Sequence, residues 1–183
     1  MHGYACLRFK AEARCRLFEL RSEMSDKNEN KLGWIYVKQL LSNCQNEESF
    51  NKALKEFPVD SSENRLAVAK SLLEIGIDRS ESAFKRNYVL SHLSTFIRTC
   101  DLQNDFRLQG QLISIVDSWK LDFPEQYHDT PPFGALLALA KVNRNLGLKK
   151  CDEVIKDYGE SESSRRIGKI RECFNDLERG QSK

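Results

Sequence analysis

The sequence predicts an all-α domain of about seven to eight short-to-medium antiparallel helices. Three observations carry that prediction. Apolar residues return at three- and four-residue steps in one run after another. No run has the strict alternation or the β-branched density of a strand. Glycine, proline and short polar residues punctuate the runs, and the short connections between them favour antiparallel neighbours.

Taken in order, residues 1–23 read as a helix with Leu7, Ala11, Arg14/Cys15 and Phe18 roughly in line. The segment carries Arg8, Lys10, Arg14, Arg16 and Arg21 against Glu12, Glu19 and Glu23. A mitochondrial presequence is Arg-rich but poor in acids, so the glutamates favour a docking helix or a loosely attached extension. Ser25 to Lys31 (SDKNENK) is polar and reads as a linker. Residues 1–31 are therefore an extension and linker, 32–179 the folded domain, and 180–183 a tail. Within the domain, Trp34, Val37, Leu40 and Leu41 mark a first helix ending near Asn43. Residues 47–57 mark a second, with Phe50, Leu54 and Phe57, stopped by Pro58. Asp60 and Glu63 have capping-box spacing ahead of a third helix with Leu66, Ala69, Leu72 and Leu73, running to Gly76. Asp78 and Glu81 repeat that spacing ahead of a long fourth helix with Phe84, Tyr88, Leu93, Phe96 and Ile97.

The stretch from Asp105 to Gly147 is the most legible. Phe106, Leu108, Leu112, Ile115/Val116 and Trp119 make one helical stripe, and Asp122–Asp129 is too punctuated to continue it. Thr130 as N-cap and Pro131 at the first helical position open the next helix. It carries Phe133, Leu136, Leu137 and Ala140 and is expected to stop at Leu146-Gly147, with Gly147 in the left-handed conformation. Trp119, Phe123, Tyr127 and Phe133 read as the apolar plug of this hairpin; the functional alternative is an aromatic cage for a ligand. Cys151, Val154, Ile155 and Tyr158 form a short helix ended by Gly159, and Ile167, Ile170, Phe174 and Leu177 form the last.

Composition narrows the function classes. The 183 residues suffice for one domain with a core, and 40% hydrophobic with 31% charged residues describes a globular chain. Twenty-nine basic residues nearly balance 27 acidic ones, so the net charge of +2 does not support a dedicated nucleic-acid or membrane-surface binder. No apolar run approaches the roughly 20 residues that span a bilayer, and charges break the N-terminal apolar stretches, so no secretory signal is expected. Six cysteines without a C-x-x-C pair, far in sequence from the three histidines, argue against a zinc site. Several sit within helical patterns as small apolar residues, which favours a reducing compartment, cytosol or nucleus.

No catalytic constellation stands out. No glycine-rich phosphate loop is present, and Asp152-Glu153 and Glu160/Glu162 occupy surface-type positions. His92 and Cys100 lie about 12 Å apart in helical rise, too far to act as a pair. His128 beside Asp129 is better read as a solvated loop residue than a general base. No enzyme, metal or cofactor is therefore expected. The partner-binding candidates are basic: Lys149 and Lys150, then Arg165, Arg166, Lys169 and Arg171, the last helix showing them opposite its apolar stripe. The bland reading is a solvated face, and the functional one is a patch for an acidic segment or a nucleic-acid backbone. Glu160, Glu162, Glu172 and Asp176 dilute it, which favours an acidic peptide. Trp34 and Tyr36 complete the candidates.

Residues 139–158 (LAKVNRNLGLKKCDEVIKDY) resemble one tetratricopeptide-type hairpin: helix, Leu-Gly turn, helix. The resemblance covers this unit alone and implies a right-handed stack of helix pairs whose concave face grips a peptide. HEAT-like repeats and the superhelix of VHS-type domains fit the helix count equally well. The expected function is a non-enzymatic adaptor or scaffold module binding a peptide or helix of another protein. The alternative is an RNA- or DNA-associated helical-repeat protein that uses the C-terminal basic face.

Overall fold

The computed structural model describes residues 33–181. The extension and linker read at 1–31 and the residues from 182 on lie outside them, as does the side chain of Leu177. Among the described residues eight α-helices follow one another: α1 (Trp34–Ser42), α2 (Glu47–Glu56), α3 (Ser62–Ile77), α4 (Ala83–Phe96), α5 (Phe106–Asp122), α6 (Phe133–Val142), α7 (Arg144–Tyr158) and α8 (Glu162–Gln181). Among the described residues there is no strand, and the fold is all-α. α1 packs on α3, α3 on α4, α4 on α6, α6 on α7 and α7 on α8, while α5 covers a side of α6 and α2 lies against α1.

The order of packing differs from the order of the chain at two places, α1 packing on α3 across α2 and α4 on α6 across α5. At the second, α6 also touches α5, α7 and α8. A helix with neighbours on most sides must be apolar nearly all round: Ala135, Leu136, Ala138, Leu139, Ala140 and Val142 are all buried, and only Lys141 in the last turn is exposed. Two glycines let its neighbours come this close. A Cβ on Gly134 would lie 2.1 Å from the Asn87 carbonyl oxygen of α4. One on Gly147 of α7 would lie 2.3 Å from the Ala140 Cα of α6. Both obstacles are backbone, which cannot rotate away.

Several local expectations are corrected. Gly147 does not end a helix: the chain turns at Asn143, which closes α6 and caps α7 by accepting from the Leu146 N–H. The turn of the 139–158 hairpin is thus at Asn143, three residues before the Leu146-Gly147 step. A helix begins at Phe133, not at Pro131, and Thr130 is not its cap. Thr130 instead lends its carbonyl to the Trp119 indole N–H at 2.7 Å. The capping is done from another helix: the Asn87 amide donates to the Pro131 carbonyl at 2.7 Å and accepts from Gly134 N–H at 3.0 Å. The caps of α3 and α4 are Ser61 and Ser82, not Asp60 and Asp78. Asp78 folds back on Ser80 in the turn between them. Of the apolar stripes, Leu66, Phe84 and Phe106 face solvent, Phe106 with 85% of its surface exposed. Gly159 does end α7, with φ +58°.

The Trp119 plug is at the centre of this arrangement. Trp119 is fully buried, its ring 4.8 Å from that of Phe123. Trp119→Ala is expected to cost about 3–5 kcal/mol, the range for truncating a large buried aromatic, read as a lower denaturant midpoint. Gly134→Ala and Gly147→Ala should each cost about 2 kcal/mol or more, because the added methyl meets backbone. Gly168→Ala serves as the control: nothing lies within 4 Å of its Cβ position, so better helix propensity should stabilise by up to about 1 kcal/mol. Equal effects at all three glycines would show that the close approaches do not matter.

Candidate functional site

The basic candidates sit on the outer side of α7 and α8. Ser161 caps α8 by accepting from the Ser164 N–H, and Ile167, Ile170 and Phe174 turn inward. Arg165, Arg166, Lys169 and Arg171 are consequently exposed, as the spacing predicts. The structure gives most of these charges a carboxylate. Arg165 and Arg166 lie 3.4 and 3.8 Å from Glu162. Arg171 reaches Asp152 of α7 at 2.8 Å. Lys150 bonds Glu153 and Asp117, each at 2.9 Å, which raises its pKa, and Lys149 lies 4.0 Å from Glu153. Alternating signs cancel within a screening length, so this face carries no one-signed field.

Trp34 and Tyr36 part company on α1. Tyr36 is half-buried against the core. Trp34 lies under the Lys70 ammonium, 4.1 Å from the ring centroid, and its carbonyl accepts from the Ser71 hydroxyl at 2.6 Å. The inner face of α1 is fixed by Val37 and Leu41, both fully buried. Its outer side forms an open trough of about 460 Å³ lined by Trp34, Ile35, Lys38, Gln39, Ser42 and Asn43. Ile35 in that trough is 56% exposed. Sequence reasoning passed over Ile35, although its place beside a stripe of Val37 and Leu41 already put it on the opposite side of the helix.

A second feature lies on α4. Phe84, Tyr88 and His92 recur every four residues on α4, and Phe50 of α2 inserts among them. The His92 ring lies 4.8 Å from Tyr88 and 5.5 Å from Phe50. Burial lowers the His92 pKa, and the negative charge of Glu47 opposes this only in part. The signal was present in the spacing but Phe84 and Tyr88 looked like core.

The Trp119 cluster has no room for a ligand cage. The Arg86 guanidinium already stands 5.0 Å over the Trp119 ring and 5.2 Å over Phe123. Tyr127 packs on Tyr158 at 4.7 Å and donates to Asp157 at 3.2 Å. His128 is exposed, and its carbonyl accepts from Ser163. The thiols of Cys44, Cys100 and Cys151 are free; burial pushes Cys151 up to about 12, far from a reactive thiolate. Among the described residues, no three His, Cys, Asp or Glu side chains are grouped to hold a metal ion. No described helix is long and apolar enough to cross a membrane.

Comparison with family models, curated proteins and solved structures finds no match in any of the three. The surface geometry alone therefore carries the functional reading.

The His92 cluster yields a pH dependence. A histidine whose folded pKa is depressed stabilises the fold fully above the unfolded value of about 6.5. That contribution is lost as pH falls towards the folded value. Wild type should therefore lose stability between about pH 8 and about pH 5, measured by urea midpoints, and His92→Phe should lose less. Parallel pH profiles in the two proteins would show that His92 does not contribute to the slope.

Proposed function

We propose that this chain is a helical protein–protein interaction module, and that the outer face of α1 takes an amphipathic helix or peptide of a partner. The observation that carries this reading is Ile35, exposed beside Trp34 over an open trough on a firmly seated helix. Large apolar residues that remain exposed and contiguous mark contact surfaces more often than scattered single ones do. Gln39, Ser42 and Asn43 supply polar groups along the trough that can pair with the rim of an incoming helix. The helix-in-groove mode asks for this combination, an apolar anchor with a polar surround on a support that does not move.

The basic face of α8 supports the nucleic-acid reading and the acidic-segment reading less well, because neighbouring carboxylates pair Arg165, Arg166 and Arg171. The two modes differ in salt dependence. Phosphate contacts release counterions and give a steep loss of affinity with salt, whereas an apolar trough gives a shallow one.

A displayed library of amphipathic helical peptides provides the probe. Selected peptides should bind with shallow salt dependence and shift the Trp34 indole resonance in the NMR spectrum. Ile35→Glu should weaken binding by about tenfold or more, the cost of losing a buried anchor, while leaving the melting temperature within error. Peptides that bind equally well to Ile35→Glu, or whose shifts map to α8, would overturn the reading.

A further inference from the structure

α5 is apolar on one side and unusual on the other. Leu108, Leu112, Ile115, Val116 and Trp119 are buried. At 100° per residue the opposite side carries Phe106, Gly110, Ser114, Asp117 and Leu121, with Ile113 and Arg107 at its edges. Phe106 is 85% exposed and Leu121 83%, the two highest values among the exposed large apolar residues described. They stand about 22 Å apart along the helix. Between them, nothing lies within 4 Å of a Cβ position on Gly110, so a second helix could approach the backbone closely.

The charges on this face have a symmetry that apolar exposure does not require. Arg107 and Asp117 are each five residues from Leu112, on opposite sides of it, and Gly110 and Ser114 are each two residues from it. A two-fold axis passing beside α5 and perpendicular to it at the level of Leu112 therefore brings Arg107 of each copy level with Asp117 of the other. It lays Gly110 over Ser114 twice, where the helices cross. Phe106 then falls one turn from Leu121 of the other copy, within reach of a phenyl ring. The other nearby cation is turned aside: the Lys120 ammonium lies over the Tyr127 ring at 5.4 Å. Asp117 pairs with Lys150 at 2.9 Å but keeps 55% of its side chain exposed, so it can accept a second cation.

We propose that a second copy of this chain docks antiparallel on the outer face of α5, joined by two Arg107–Asp117 pairs and flanked by Phe106 and Leu121. A self-complementary patch is the signature of an isologous dimer, because one surface must serve as both partners. This surface is separate from the α1 trough and does not depend on the function proposed for it.

Sedimentation equilibrium on the full chain tests the idea. The wild type should show a concentration-dependent monomer–dimer equilibrium. Arg107→Asp alone or Asp117→Arg alone should each weaken it by about tenfold or more, since each sets like charges opposite one another twice. The double variant R107D/D117R exchanges the charges and should restore association to within about threefold of wild type. Leu121→Glu should abolish it. All three positions are exposed, and circular dichroism with thermal melting confirms that each of the four variants is folded. A wild type that stays monomeric at every accessible concentration overturns the proposal and leaves the face to a partner of different sequence. So does a dimer indifferent to the single reversals, or one that the double reversal fails to restore.

Discussion

The buried pair of Arg86 and Asp122 is the constraint on which the rest of the helix packing depends. Arg86 is only 1% exposed. Its Nε donates to the Gly76 carbonyl at 2.8 Å, its terminal amine to Asp122 at 2.9 Å, and its plane covers Trp119 and Phe123. Taking two charges out of water costs several kcal/mol per ion unless each finds partners. Asp122 is completed by the Ser118 hydroxyl at 2.9 Å and Arg79 at 3.5 Å. Burial would raise the Asp122 pKa, but the hydrogen bonds from Arg86 and Ser118 and the nearby arginine charges outweigh it and hold the carboxyl below its ordinary value. Arginine alone among the side chains offers a planar fork that can satisfy a carbonyl, a carboxylate and an aromatic face together. The end of α3, the first turn of α4 and the end of α5 are joined at this one group.

From that joint the position of α6 follows. Trp119, held under Arg86, reaches the Thr130 carbonyl and orients the turn that leads into α6. Asn87, one residue after Arg86, holds both the Pro131 carbonyl and the Gly134 N–H. The helix is therefore capped by its neighbour, and it sits so close that only glycine fits at 134. Gly147 repeats the device on the far side with α7. An apolar helix enclosed in this way consumes the inner faces of the helices around it. The outer faces of α1 and α5 remain, each backed by a fully buried stripe. That is the physical basis for reading both as surfaces for other chains: a rigid support loses little entropy when something docks on it.

Much of this was legible in the sequence. Helix type and number follow from apolar periodicity, and the runs around Val37, Leu72, Leu112, Leu139 and Ile167 are long enough to be unambiguous. The turn after Asp122 and the stop at Gly159 follow from local chemistry. The exposure of the α8 cations follows from their spacing against Ile167 and Ile170. These properties depend on residues close in the chain, which a reading of one dimension reaches.

What only the tertiary structure decided depends on residues far apart. Thr130 and Pro131 satisfy every local rule for a helix start, yet Asn87 supplies the cap because α4 stands beside them. Gly147 looks like a helix stop in sequence, but its missing side chain serves a close approach by α6. Arg86 on α4 and Asp122 on α5 lie 36 residues apart, and neither has a local sign of burial. The cations near Lys150 and Arg171 lose their isolation only when α5, α7 and α8 bring Asp117 and Asp152 against them. Conversely, Phe84, Phe106 and Leu66 carry core-like side chains at helical spacing and still face solvent. Periodicity says which residues share a face, but packing alone decides whether another helix covers it.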